Sequence, residues 1–298
     1  MKRRQFLGYS LLFLEGCAFS QVSASFNLVE ENLTERLRFA VTDVQGLEKL
    51  EKNYEKFRNA LEAVLQTPIE FFPVESYTAA VVALQFNQVD LVLTGPSEYV
   101  LIHSRTNAIP LIGIARPQYY SVIATTADSP IKSLQDLKGK TIAMRNIGST
   151  GGHLGPTQLL MEAGLRPNVD YQAKMLGVEK REIALKNGTA DAWAGSISDY
   201  ENYLLIPGFS QQDFPILKQG YPLPNDLLVV SSLLRPQQIE AYKARILNHK
   251  NQDYLLTSLV TGKETQKYQG SKFVPVRDAD YDSIRQIYQA IGSEKLIQ

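Results

Sequence analysis

Short apolar runs and amphipathic stretches take turns along this chain, and that alternation constrains its fold more than any other feature. RLRFAVT (36–42) alternates apolar and polar residues as a strand does. Over 47–65, Leu47, Leu50, Tyr54, Phe57, Leu61, Val64 and Leu65 share one helical face, with Glu and Lys between them. IEFFPV predicts a strand, 78–86 a helix and DLVLTG a strand; IPLIGIA (109–115) and YSVIATT (120–126) follow, with Pro117 between them. After SPIKSLQDLKGK the cycle restarts with TIAM, a helix over 151–163, QAKML, a helix over 179–187, ADAWAG and a helix near 199–204. FPILKQG and LLVVSSLL close the series, and the rest is mainly helical, over 236–247, 252–259 and 279–291. Such alternation predicts an α/β fold with a largely parallel sheet, and two cycles predict two lobes. A chain of 298 residues has ample core for both. Ligands of open α/β sheets sit beyond the carboxyl ends of the strands, so a cleft between lobes is the expected site.

Charge narrows the partners. Lys+Arg and Asp+Glu are equal at 31 each, and without a basic excess no nucleic acid is expected. The start, MKRRQFLGYSLLFLEGCAFSQVSAS, is basic, then briefly apolar, then small and polar, as export signals are. Arg3-Arg4 before Gln5-Phe6-Leu7 resembles a twin-arginine signal; a general secretory signal holding two arginines is the other reading. Leu14-Glu15-Gly16-Cys17 resembles a lipobox that would lipidate Cys17, although Glu15 departs from the small residue usual there. Val22-Ser23-Ala24 offers an ordinary cleavage site instead. On either route the mature chain works outside the cytoplasm.

Two turns stand out. RNIGSTGGHLGP (145–156) leaves the TIAM strand and enters a helix with four glycines. Glycine lets backbone approach a ligand closely, and a helix start offers unpaired N–H groups with a partial positive charge. Ser149 and Thr150 add hydroxyls, and Gly151 and Gly152 add bare N–H groups. Two accounts fit: an oxyanion held on the turn, or a plain N-cap. The spacing fits neither G-x-G-x-x-G nor the P-loop, and Ile147 stands where a nucleophile elbow needs glycine. His103, His153 and His249 are scattered and Cys17 is the single cysteine, so no metal set and no cofactor is expected. His153 either donates to an anion or faces solvent. Thr94-Gly95-Pro96-Ser97 is a second strand-to-helix turn, open to the same two accounts.

Tyr77, a helix and FNQVDLVLTGPSEYV, followed later by a strand, GSTGG, a helix and KNGTADAWA, resemble the substrate-binding proteins of phosphonate, phosphite and phosphate ABC transporters. The resemblance runs from about Arg36 to Ile287. It implies a two-lobed, type II periplasmic-binding-protein fold of the α/β class, each lobe a mixed sheet flanked by helices. Lobe one would be 35–119 with 226–298 and lobe two 120–225, after a signal over 1–24 and a tether over 25–34. The oxyanion would be gripped by Ser149 and Thr150, with Gly151 where the family has a second serine, and by Tyr77 and Tyr119. Thr94, Ser97 and Gly152 join them as candidate ligand groups. The family's late acidic residue matches Asp226, which would accept a hydrogen bond from a ligand P–OH and repel a dianion. Two departures matter: Gly177-Val178-Glu179 lacks the family's histidine, and the place where aminophosphonate binders carry an acid falls at Ser198, beside Asp199. The implied protein is no enzyme. It is a monomer that delivers phosphite, a phosphonate or phosphate to a permease in the cytoplasmic membrane. A binding module of this fold serving a sensor kinase, and a non-phosphorus oxyanion, are the alternatives. An enzyme on the fold would need an acid–base pair or nucleophile that three histidines and one cysteine do not suggest.

Overall fold

The computed structural model describes residues 36–76, 79–177 and 180–297, without the side chains of 263 and 264. The expectations for the export signal, Cys17, Tyr77 and residues 178–179 lie outside these residues.

The strands are β1 (Leu37–Val41), β2 (Ile69–Phe71), β3 (Leu91–Thr94), β4 (Ile109–Ala115), β5 (Tyr120–Ala124), β6 (Thr141–Met144), β7 (Gln172–Met175), β8 (Ala192–Ser196), β9 (Ile216–Pro222), β10 (Asp226–Val230) and β11 (Lys272–Val274). The helices are α1 (Leu47–Leu65), α2 (Ala79–Gln85), α3 (Pro96–Thr106), α4 (Gly155–Glu162), α5 (Arg181–Lys186), α6 (Ile197–Leu204), α7 (Pro236–Leu247), α8 (His249–Leu259) and α9 (Asp282–Ala290). They build two sheets, one ordered β11-β4-β10-β3-β1-β2 and the other β7-β6-β8-β5-β9. The chain crosses between the sheets twice, from β4 to β5 and from β9 to β10.

Strand alternation sorts the first core. Leu37, Phe39 and Val41 of β1 join Leu91 and Leu93 of β3 and Leu228 and Val230 of β10 against α1, α7 and α8. Ala40, Val92, Leu227 and Val229 face the other way, against α2, α3 and α9. That is the period-two pattern of a sheet buried on both faces. The second sheet is covered alike: Ile123, Ile142 and Ala194 pack with Leu159 and Leu160 of α4, while Val122 and Trp193 pack with Tyr200 and Tyr203 of α6.

Three features differ from the sequence expectation. The sheets are mixed rather than largely parallel, because β10 runs antiparallel to both β3 and β4, and β5 antiparallel to β8 and β9. Each such strand enters its sheet from a crossover, so it starts at the edge where its neighbours end. β11 was not anticipated; its three residues are too few to show a period. The helix expected over 151–163 is broken, with a wide π turn at Thr150–Leu154 ahead of α4.

Candidate functional site

Six segments bring polar residues to the facing ends of the two sheets. Thr42 and Asp43 follow β1, Gly95 to Glu98 follow β3, Arg116 follows β4, Arg145 follows β6 and Ser198-Asp199 follow β8, while Asp226 opens β10 beside the ends of β3 and β4. These are the carboxyl ends at which open α/β sheets bind ligands.

The glycine turn is held by its neighbours. Ser121 Oγ of β5 donates to Gly151 O at 2.9 Å. A Cβ on Gly155 would lie 2.1 Å from Ser121 Oγ, and one on Gly152 2.4 Å from Arg145 Cβ. Close approach therefore explains these two glycines. The backbone bond that sets the wide turn runs from Leu154 N–H to Ser149 O at 2.9 Å, a spacing that recurs at functional sites. Ser149 occupies the N-cap position, yet its hydroxyl makes no capping hydrogen bond. The plain-cap account thus does not use the side chain. Gly152→Ala should cost about 1 to 3 kcal/mol in chemical denaturation, the range for overpacking against a side-chain base that cannot swing away.

Across the cleft, the second-lobe turn meets the first-lobe turn. Thr150 Oγ1 donates to Ser97 Oγ at 2.7 Å and accepts from Ser97 N–H at 3.0 Å. Ser97 Oγ in turn donates a hydrogen bond to Glu98 Oε2 at 2.8 Å. Thr94 stands behind, its Oγ1 accepting from Thr42 Oγ1 at 3.2 Å. Thr94, Ser97, Ser149, Thr150 and Asp226 are all buried. Tyr119 reaches the same place, its ring edge 3.3 Å from the position of a Cβ on Gly151.

Charges that the sequence did not single out complete the site. Arg116 lies on the Tyr119 ring, 3.6 Å from its centroid. It donates to Asp226 at 3.3 Å and to Ser198 Oγ at 3.0 Å, and its side chain is 5% exposed against 3% for that of Asp226. Its Nε is buried with no hydrogen-bond partner among the described residues. Lys267 pairs with Asp43 and lies 3.7 Å from Asp226. Asp199 is shared by Arg181 at 3.1 Å and Arg145 at 3.8 Å. The Asp226 carboxylate is therefore already engaged by two cations, whereas the sequence reading had it waiting for a ligand proton. Loss of water works upward on Asp43, yet Lys267, Arg145 and Arg116 hold its carboxyl down to about 2. Burial and the neighbouring Asp43 push Glu98 up to about 7.

His153 does not face solvent freely. Its Nδ1 accepts from Gly148 N–H at 3.1 Å, and burial lowers its pKa to about 4. A histidine kept neutral in the fold contributes stability above its unfolded value of about 6.5, lost as pH falls toward 4. Glu98, raised rather than lowered, pulls the opposite way over much of this window. The measurement is thus a comparison: the wild type should lose about 1 to 2 kcal/mol more than His153→Asn between pH 7 and pH 5 in urea denaturation. Equal losses would show that His153 is not buried neutral.

Among the described residues no group of three or more His, Cys, Asp or Glu is placed to hold a metal ion, and no helix is long and apolar enough to cross a membrane. A cavity of about 110 Å³ lies behind the cleft, lined by Ser121, Gly155, Leu159, Pro222, Ile284 and Ile287, and none of the site's charges borders it.

The family model for the periplasmic substrate-binding proteins of phosphonate ABC transporters matches residues 39–281. The chain belongs to this family. Its members are transport proteins that bind substrate rather than enzymes. The phosphate-import protein PhnD of Mycolicibacterium smegmatis is 24% identical to this phosphonate-family chain over 89% of it and 88% of the relative. Among solved structures, XAC2383 from Xanthomonas citri bound to ATP superposes with a TM-score of 0.73 at 17% identity, covering 88% of this chain and 98% of that one. PhnD1 from Prochlorococcus marinus, in complex with methylphosphonate, gives 0.70 at 20% identity, covering 87% and 99%. Both share the two-lobed type II periplasmic-binding-protein fold with this chain.

Proposed function

We propose that this phosphonate-family protein captures a small phosphorus oxyanion (phosphite, a phosphonate or phosphate) between the Ser149–Gly152 turn and the Thr94–Ser97 turn, and presents it to a permease in the cytoplasmic membrane. The observation that carries this reading is the meeting of Thr150 with Ser97 across the cleft, beside a Ser149 hydroxyl that caps nothing. Hydroxyls and helix-start N–H groups hold oxyanions without a lysine. A ligand would part the Thr150–Ser97 pair and take both hydroxyls, so the two lobes would close on it rather than on each other. Tyr119 and Asp226 border the same space, and Tyr77 joins by family resemblance. No catalysed reaction and no cofactor is part of this reading, and the chain acts as a monomer.

Calorimetric titration with phosphite, methylphosphonate, phosphate and sulfate tests it. Ser149→Ala should weaken all the anions that bind by about 1.5 to 3 kcal/mol, the worth of one hydrogen bond to a charged group. Unchanged affinities would remove Ser149 from the site, and no binding by any phosphorus compound would remove the function. Export belongs to the same proposal. Arg3 and Arg4 changed together to Lys should hold the precursor in the cytoplasm if the twin-arginine route is used, and Cys17→Ala should abolish lipid labelling. Export of the double variant at the wild-type level, or a wild type that takes no label, would leave the general secretory route with cleavage near Ala24.

A further inference from the structure

Three of the four carboxylates around the cleft have a cation. Asp226 has Arg116 and Lys267, Asp43 has Lys267, and Asp199 has Arg181 and Arg145. Glu98 is the exception. The residue is 6% exposed, its carboxyl accepts from the Ser97 hydroxyl at 2.8 Å and from its own backbone N–H, and no cation among the described residues pairs with it. The carboxyl is folded over the first turn of α3, with Oε2 2.6 Å from where a Cβ on Gly95 would sit.

We propose that Glu98 works in the oxyanion site as a neutral carboxyl group that donates a hydrogen bond to the bound anion, so that anion binding holds or takes up one proton. This rests on the reading that the anion lies between the two turns. The groups that face Glu98 are neutral or negative: Ser97 on its own helix, Asp43 beyond β1, Asp226 on β10, Tyr119 in the crossover, Tyr288 on α9, and Thr150 through Ser97. The cations Lys267, Arg145 and Arg116 act on Asp43 instead. A buried carboxyl among such neighbours favours its neutral form. A proton on it also turns an acceptor into a donor.

The hydrogen-bond chain adds a direction. Thr150 donates to Ser97 and Ser97 to Glu98. An anion that draws the Ser97 hydroxyl to itself removes one of the two donors that favour ionised Glu98, the other being the residue's own backbone N–H. The anion's negative charge works in the same sense. A carboxyl already pushed up to about 7 is then pushed higher, so affinity rises as pH falls from 8 to 6 and levels off below.

The experiment uses anions whose own charge is fixed over this range: sulfate, methanesulfonate and dimethylphosphinate, alongside methylphosphonate. Calorimetric titration at pH 6, 7 and 8, in two buffers of different ionisation enthalpy, reads affinity and proton uptake together. The wild type should bind a fixed-charge anion about tenfold more weakly at pH 8 than at pH 6, with net proton uptake at pH 8. Glu98→Gln should flatten the profile and abolish the uptake. A wild type that binds without uptake, or a variant that keeps both effects, overturns the proposal. If no phosphorus compound binds but sulfate or methanesulfonate shows the Glu98-dependent profile, the phosphorus reading fails and Glu98 stands. If nothing binds, carboxyl-carbon NMR of the free wild type decides: Glu98 titrating near neutral pH supports the proposal, and Glu98 fully ionised at pH 6 overturns it.

Discussion

Asp226→Asn should destabilise the protein by about 3 kcal/mol or more in urea denaturation at pH 7. The side chains of Arg116 and Asp226 are almost entirely withdrawn from water, at 5% and 3% exposure. Taking two charges out of water is costly, and each is tolerated because the other is there. Removal of the carboxylate leaves a guanidinium with the Ser198 hydroxyl and the Tyr119 face as its remaining contacts. A neutral amide of the same size keeps the shape and loses the charge, so the effect is electrostatic. Arg116→Gln in the same chain should recover part of the loss, since the double variant buries no unpaired charge. Binding should respond in the opposite direction. Arg116 and Lys267, released from Asp226, would attract oxyanions more strongly, and sulfate affinity should rise. The sequence reading, with Asp226 accepting a hydrogen bond from a ligand P–OH, expects weaker binding of protonated ligands and a higher relative affinity for sulfate. A stability loss below about 1 kcal/mol together with weaker binding would restore that reading.

That contrast shows where the sequence was informative. The secondary elements were legible because each carries its own period. α1 spans Leu47–Leu65 and β4 spans Ile109–Ala115, the limits their apolar spacing predicts. The two glycine-hydroxyl turns were legible as well, since each is contiguous in sequence, and Ser97 and Thr150 do meet. Most of the charges were not. Asp43, Arg116, Arg145 and Lys267 come from four separate segments, and a single charged residue has no pattern of its own; Asp226 was marked by family resemblance alone. What could have marked them is position: Asp43, Arg116 and Arg145 each lie within two residues of a strand's carboxyl end, where the fold puts ligands. Glu98 was hidden differently. Inside GPSEYV it looks like an acidic residue in the first turn of a helix, which needs no further explanation. Only its burial and its lack of a cation set it apart.

Leu154→Ala should weaken anion binding by tenfold or more. Leu154 ends the wide turn of the second lobe, yet it is completely buried in the first lobe's core, with Tyr281, Ile284, Ile287 and Tyr288. A buried leucine cut back to alanine costs about 2 to 5 kcal/mol, from lost transfer free energy and the cavity left behind. Because these contacts join the two lobes, the loss falls on their closed arrangement more than on either lobe's folding. A binding-competent state that becomes less populated lowers apparent affinity in proportion, about tenfold for each 1.4 kcal/mol. Small-angle scattering should accordingly find the ligand-free variant more expanded than the wild type, and saturating ligand should bring the two together. Leu160→Ala is the control, because Leu160 is buried within the second lobe's own core. It should lower stability and leave affinity within about twofold of wild type. If Leu154→Ala behaves like that control, unstable but with unaltered affinity and scattering, then Leu154 is ordinary core and closure depends on the polar contacts alone.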